Sequence, residues 1–259
     1  MRKLHSKWIL ALAISVATAA VAQSPLAGTW KFNAAKSQIT GDTIHFASAG
    51  EGMIRVTSGG QSYSFKPDGS DTTTPMGNTA EWKKIDDNTW QQILKKGSTD
   101  LATNTYKLSD DGKTLTVTSE GKKPNGDAFN DSSTYTRTGG TKGFLGAWKS
   151  TKVDISSPTG YEIKDNGDGT LLWALPDYHA TVTIKPDGKD YPATGPTVPD
   201  GMTLSLTKNG PRSFTLVEKL KGKPIYKGTE TVSADGKTLT EFGSAVGVNE
   251  PAKSIYDKI

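Results

Sequence analysis

The chain of 259 residues contains no cysteine. It can therefore form no disulfide, offer no thiolate nucleophile and supply no cysteine ligand to zinc. Each folded unit must be stabilised by burial of its own apolar side chains, which has to offset the conformational entropy of the chain.

Histidine is also scarce, with only His45 and His179 after the first few residues. Strand alternation predicts that both side chains point outward, since their sequence neighbours supply the apolar face. No two histidines have the spacing of metal ligands, and a Ser-His-Asp triad would need a buried histidine. We therefore predict no catalytic residue, no metal site and no cofactor.

Long apolar runs are absent except near the start of the chain. Basic Arg2, Lys3 and Lys7 precede an apolar stretch over residues 8–16, and Ala20-Val21-Ala22 follows. This pattern predicts a signal peptide over residues 1–22, and hence an exported protein, periplasmic or extracellular, without a transmembrane segment in the mature chain.

After residue 22, the chain has almost no excess of either positive or negative charge. The remainder has 28 lysines and arginines against 27 aspartates and glutamates, and the two signs are interspersed. A nucleic-acid-binding protein would keep clustered basic residues, so we predict no nucleic-acid partner.

Turn dipeptides and short alternating segments make up most of the chain. Asp-Gly or Asn-Gly occurs nine times, for example at Asp111-Gly112 and Asp235-Gly236, and both residue types tolerate positive φ. Segments such as residues 202–206 alternate apolar with small polar side chains, which predicts half-buried strands. No helical period is sustained, so we expect no helix longer than a turn or two.

The chain contains an internal duplication. Gly28-Thr29-Trp30-Lys31 returns as Gly146-Ala147-Trp148-Lys149, and Lys66-Pro67-Asp68-Gly69, interpreted as a hairpin turn, returns as Lys185-Pro186-Asp187-Gly188. The order of the repeated segments is kept, so each copy should fold as the same unit. We predict one domain over residues 23–138, a flexible glycine-rich linker over 139–143, and a second domain over 144–259.

Each copy contains about eight to ten predicted short strands. This number and the tight turns predict an all-β protein with two tandem antiparallel up-and-down barrels, because pairing the first strand with the last removes both exposed edges. A single large barrel built from both copies is the alternative.

Gly-x-Trp on the first strand, with a cation on the last, resembles the calycin superfamily, which includes the lipocalins. Here the pairs would be Trp30 with Arg137 and Trp148 with Lys258. The resemblance implies that each tryptophan seals one end of its barrel beneath the cation. More closely, the chain resembles bacterial exported lipocalin-like proteins of unassigned function.

Aromatic side chains are the main candidates for a ligand site, because apolar pockets typically use large rings with a polar tip. The candidates lie on or beside predicted strands: Tyr63, Phe65, Trp82, Trp90, Trp173, Tyr178, Tyr191 and Phe214. Plain core packing is the alternative role for all of them.

Three classes of function remain open. The first is an exported protein that binds a small apolar or amphipathic ligand inside a barrel. The second is a structural or interaction protein of the cell envelope with filled barrels. The third is a cavity enzyme, whose mark would be buried carboxylates beside a pocket, and no such residues are identifiable in the sequence. Residues 165–169 could be imagined as a calcium loop but lack the EF-hand pattern, and a hairpin explains them. The sequence leaves the oligomeric state open.

Overall fold

The computed structural model describes residues 23–248 and 250–259, apart from the side chain of Thr141. The predicted signal peptide lies outside these residues. The described chain consists of strands and two single-turn 3-10 helices, Ala34–Lys36 and Pro176–Tyr178. It includes no helix of sufficient length and hydropathy to span a membrane.

The strands form two ten-stranded antiparallel sheets, each curled into a nearly closed barrel. Barrel 1 has the order β4-β3-β2-β11-β10-β9-β8-β7-β6-β5. Its strands are β2 (Thr43–Ser48), β3 (Ile54–Ser58), β4 (Gln61–Phe65), β5 (Asp68–Thr73), β6 (Thr79–Lys84), β7 (Thr89–Lys96), β8 (Thr99–Leu108), β9 (Thr114–Lys122), β10 (Ala128–Lys142) and β11 (Leu145–Asp154).

Barrel 2 has the order β14-β13-β12-β1-β20-β19-β18-β17-β16-β15. Its strands are β1 (Gly28–Phe32), β12 (Gly160–Asp165), β13 (Leu171–Leu175), β14 (Ala180–Ile184), β15 (Asp187–Pro192), β16 (Met202–Lys208), β17 (Ser213–Leu220), β18 (Lys223–Val232), β19 (Thr238–Ala245) and β20 (Ala252–Lys258). The prediction of two all-β barrels with up to ten strands each is confirmed.

The assignment of the Gly-x-Trp strands to barrels was wrong. β1 pairs with β20 and β12 in barrel 2, whereas β11 pairs with β10 and β2 in barrel 1. Barrel 1 is thus a continuous stretch of chain inserted between β1 and the rest of barrel 2. The predicted boundaries 23–138 and 144–259 therefore each divide a barrel.

The predicted linker over residues 139–143 belongs to the hairpin that joins β10 to β11. A hairpin between strands so close in sequence costs little loop-closure entropy, which favours β11 as the closing strand of barrel 1. The glycines produce register irregularities in this hairpin rather than a flexible spacer.

Each tryptophan is accordingly buried in the core of the barrel formed mainly by the other copy. The Arg137 guanidinium carbon lies 4.0 Å from the ring centroid of Trp148, and the Lys258 ammonium nitrogen lies 5.0 Å from that of Trp30. The predicted pairs of Trp30 with Arg137 and Trp148 with Lys258 were wrong for the same topological reason. Gly28 lets the lysine pass, because a Cβ there would lie 2.2 Å from the Lys258 Cε.

Lys-Pro-Asp-Gly is not a hairpin turn in either copy. It joins β4 to β5 and β14 to β15, which are the two end strands of each sheet and do not share a ladder. The motif therefore lies at the seam of each barrel, where proline, which has no N–H to donate, is tolerated. In barrel 2 the seam is partly bridged by paired backbone hydrogen bonds between Thr181 and Thr194.

The two barrels contact each other through buried polar groups. The Lys123 side chain of barrel 1 is only 2% exposed and donates to Asp177 and to the carbonyl of Ser157. Lys96 of barrel 1 donates to the carbonyl of Val198. Barrel 1 therefore supports the segment of barrel 2 that precedes β16.

Candidate functional site

A cavity of about 330 Å³ lies in barrel 2. Its walls come from β12, β13, β14, β16 and β17, whose apolar side chains alternate inward, and from the segment over residues 193–199. Most of the lining is aromatic or aliphatic, including Trp173, Leu175, Met202 and Leu204. Glu218 is the one ionisable carboxyl group in this lining.

An acid–tyrosine cluster adjoins the cavity inside barrel 2. We use this name for Glu218, Glu230, Glu241, Tyr161, Tyr226 and Tyr256. Glu218 and Tyr161 belong to the cluster and also line the cavity, so the two features are continuous.

Glu241 accepts hydrogen bonds from all three tyrosines. The hydroxyls of Tyr161 and Tyr256 lie 3.4 and 3.3 Å from its Oε2, and the hydroxyl of Tyr226 donates to its Oε1. These phenols come from β12, β20 and β18, and with the glutamates the cluster spans six consecutive strands of the sheet, from β12 to β17. Burial, with Glu241 as the next cause, raises the pKa of all three tyrosines.

Glu230 is the least compensated group of the cluster. It is fully buried, and neither carboxyl oxygen has a hydrogen-bond partner. It stands directly opposite Glu241 in the β18–β19 register, an arrangement that is unfavourable for like charges. Burial, followed by the charges of Glu241 and Glu218, raises the pKa of Glu230 well above its ordinary value.

Glu218 is poised to change charge near neutral pH. Burial, and to a lesser degree the charge of Glu241, raises the pKa of Glu218 to about 7. None of the salt bridges within the described residues involves a glutamate of the cluster. No lysine or arginine of the described residues therefore neutralises Glu218 or Glu230, and these carboxyl groups lose their charge by binding protons instead.

Barrel 1 has no such cluster at the corresponding positions. Its strand register matches that of barrel 2, with Trp90 opposite Tyr106 where barrel 2 has Phe214 opposite Glu230. The counterparts of Glu218, Glu230 and Glu241 are Leu94, Tyr106 and Val117, which all pack in or against the barrel 1 core.

An aromatic cluster fills the interior of barrel 1 instead. The Phe65 and Trp82 rings stack with centroids 4.1 Å apart, and Trp90 stacks on Phe144 at 4.2 Å. The Tyr63 hydroxyl accepts hydrogen bonds from Trp82 Nε1 and from Gln92. Gln92 in turn accepts from Asn104, so these neutral polar groups are bonded to one another within a core of packed aromatic rings.

The predicted aromatic candidates divide between these two settings. Trp173 and Tyr178 line the barrel 2 cavity. Tyr63, Phe65, Trp82 and Trp90 belong to the barrel 1 core, and Phe214 is buried in the barrel 2 core, so these five serve in packing. Tyr191 packs against the barrel 2 core and donates to Asp187.

Sequence reasoning missed the three glutamates. The signal was present, because Glu218 shares its strand face with Phe214 and Leu216, and a charged residue in the apolar phase of a strand marks a buried carboxyl. Glu241 follows Leu239 in the same way. What the alternation could not show is that the three strands are neighbours and bring the carboxyls together.

His45 and His179 are both exposed, as predicted. Residues 165–169 form the turn between β12 and β13, in which Asp165 and Asp168 accept hydrogen bonds from nearby backbone N–H groups. Among the described residues, no group of three or more histidines, aspartates or glutamates is arranged to hold a metal ion.

Comparisons with protein-family models, with curated proteins and with solved structures found no match for the chain. The two nearly closed barrels and the side chains inside barrel 2 are therefore the features that indicate a class of protein.

Proposed function

We propose that the protein is an exported, lipocalin-like binding protein of the calycin type that holds a small amphipathic molecule in barrel 2. The single observation that carries the proposal is the apolar-walled cavity with an ionisable group, Glu218, at one side. Its volume lies near the lower end of the usual range for small-molecule sites, roughly 300–1,000 Å³.

The contrast between the barrels supports an asymmetric division of roles. Barrel 1 has a stacked aromatic interior, whereas barrel 2 combines a cavity with buried carboxyls. In this proposal barrel 1 is a solid scaffold, and it holds the rim of the cavity through the hydrogen bond from Lys96 to Val198. The apolar body of the ligand would lie against Trp173, Leu175 and Met202.

Binding of the neutral fluorescent probe N-phenyl-1-naphthylamine tests the proposal. We expect saturable binding to the wild-type protein, and at least tenfold weaker binding to Ala180→Phe, whose ring would occupy the cavity. Thr183→Phe adds the same ring to the exposed face of the same strand and should bind normally. Native mass spectrometry of protein from its own host should reveal a bound small molecule. A wild-type protein that binds no probe and carries no ligand would support the filled structural protein instead.

A cavity enzyme is the second candidate, favoured by one observation. A carboxyl whose pKa is about 7 beside an apolar cavity is suited to general acid–base catalysis. Incubation of the molecule recovered from the host with wild-type protein and with Glu218→Gln distinguishes the two. Conversion by the wild type alone would favour the enzyme, and binding without conversion by either protein would favour the binding role.

A further inference from the structure

We propose that the acid–tyrosine cluster of barrel 2 binds the protonated amine of an amphipathic ligand whose apolar part fills the adjoining cavity. This inference rests on the proposed binding function and specifies the chemical class of the ligand.

Glu230 is the uncompensated acceptor of the cluster. Glu218, Glu230 and Glu241 lie on three successive strands of one sheet, and Glu230 and Glu241 are direct cross-strand partners, whose Cβ atoms are typically about 5 Å apart. Both oxygens of Glu230 are buried without a partner. A buried polar group left unsatisfied is costly, and a cation with several N–H donors would supply what this site lacks.

The tyrosines add further acceptors for the same cation. Tyr161, Tyr226 and Tyr256 direct their hydroxyls at Glu241, and Tyr161 also faces the cavity. An ammonium group has three donors and no acceptor, so it matches a site made of carboxylates and phenol oxygens.

The chemistry of the site excludes two other classes of occupant. A carboxylate or phosphate headgroup would bring a negative charge to three glutamates with which no lysine or arginine of the described residues forms a salt bridge. A bare metal ion needs a preformed ligand set, which the described residues do not contain. The apolar walls beside Glu218 require a cation that carries an organic body.

Binding of such a ligand should be coupled to proton release. The ammonium enters charged and needs an ionised carboxylate, so below about pH 7 the proton of Glu218 must leave to solvent as the amine binds. The titratable groups around Glu218 are Glu230 and Tyr226 on β18 and Glu241 on β19, together with Tyr161 on β12, which lines the same cavity. Tyr256 on β20 donates to Glu241. The part of the affinity for the amine that depends on Glu218 should therefore rise with pH up to about 7 and then level off.

Three ligands with the same alkyl chain test the inference on the intact mature protein. Octylamine, 1-octanol and octanoate are compared by displacement of N-phenyl-1-naphthylamine at pH 7.5. We expect octylamine to bind at least tenfold more tightly than 1-octanol, and octanoate more weakly than either. Calorimetry in buffers of different ionisation enthalpy at pH 6 should show proton release on binding octylamine only.

Substitutions in the acid–tyrosine cluster then test which residues cause the preference for octylamine over 1-octanol. Glu218→Gln and Glu230→Gln should each weaken octylamine binding at least tenfold and bring the affinities for octylamine and 1-octanol close to each other. Glu162→Gln, which removes an exposed carboxyl from the same sheet, is the matched control. Equal affinities of octylamine and 1-octanol for the wild type would overturn the inference without any variant. Absence of probe binding to the wild type would instead refute the proposed function itself.

Discussion

Replacing Glu218 by glutamine should remove a large part of the pH dependence of barrel 2 stability. In the folded protein, burial and the charge of Glu241 raise the pKa of Glu218 from an ordinary value of 4.5 to about 7. The folded state therefore binds the proton more tightly than the unfolded state does. Between these two pH values stability falls as pH rises, because unfolding releases the proton.

The size of the effect follows from this difference in pKa. Each unit corresponds to about 1.4 kcal/mol, so the wild type should lose about 3 kcal/mol through Glu218 between pH 4.5 and pH 7. Glu218→Gln has no proton to lose at this position. The free energy of unfolding of Glu218→Gln minus that of the wild type should therefore be about 3 kcal/mol larger at pH 8 than at pH 4.5. A constant effect of the amide on stability cancels in this comparison.

Urea unfolding followed by tryptophan fluorescence at a series of pH values measures this difference. Amide hydrogen exchange then shows which barrel is affected. The exchange rates should change in β17 and β18 of barrel 2 and stay the same in β7 and β8 of barrel 1. Glu162→Gln controls for the loss of an exposed carboxyl and should track the wild type within about 0.5 kcal/mol. Parallel stability curves for wild type and Glu218→Gln from pH 4.5 to pH 8 would refute the reasoning.

Three further predictions follow from the packing. A fragment of residues 38–154 should fold by itself with a native barrel 1, whereas residues 43–142, which lack β11, should not; circular dichroism and NMR dispersion distinguish them. In urea unfolding, Arg137→Met should destabilise barrel 1 by about 2–3 kcal/mol, and Lys258→Met should destabilise barrel 2 by about 1–2 kcal/mol. The arginine has the larger effect because it lies closer to its indole and its side chain donates to three backbone carbonyls, whereas the lysine donates to one. Lys123→Met should cost about 3 kcal/mol or more, since Asp177 loses its buried partner, and equal stability of the variant and wild type would contradict this.

The strands themselves were predictable because their signals are local. Alternation in segments such as residues 202–206 and the Asp-Gly turns reflect the period of two and the positive φ of hairpins, and both act within a few residues. The duplication then predicted two similar units with up to ten strands each, and the sheets have that number. The Gly-x-Trp motif also predicted an indole beneath a cation in each barrel, and both contacts are present with the two cations exchanged.

The sequence by itself determined the strands, the turns and the pairing of each first-strand tryptophan with a cation. Only the tertiary structure decided which barrel each Gly-x-Trp strand enters, because β1 and β11 have similar sequences and either could complete either sheet. Chain connectivity favours the hairpin between β10 and β11, and β1 then pairs with β20. The same holds for Glu218, Glu230 and Glu241. Each occupies the inward phase of its own strand, but only the pairing of β17, β18 and β19 makes them one buried cluster.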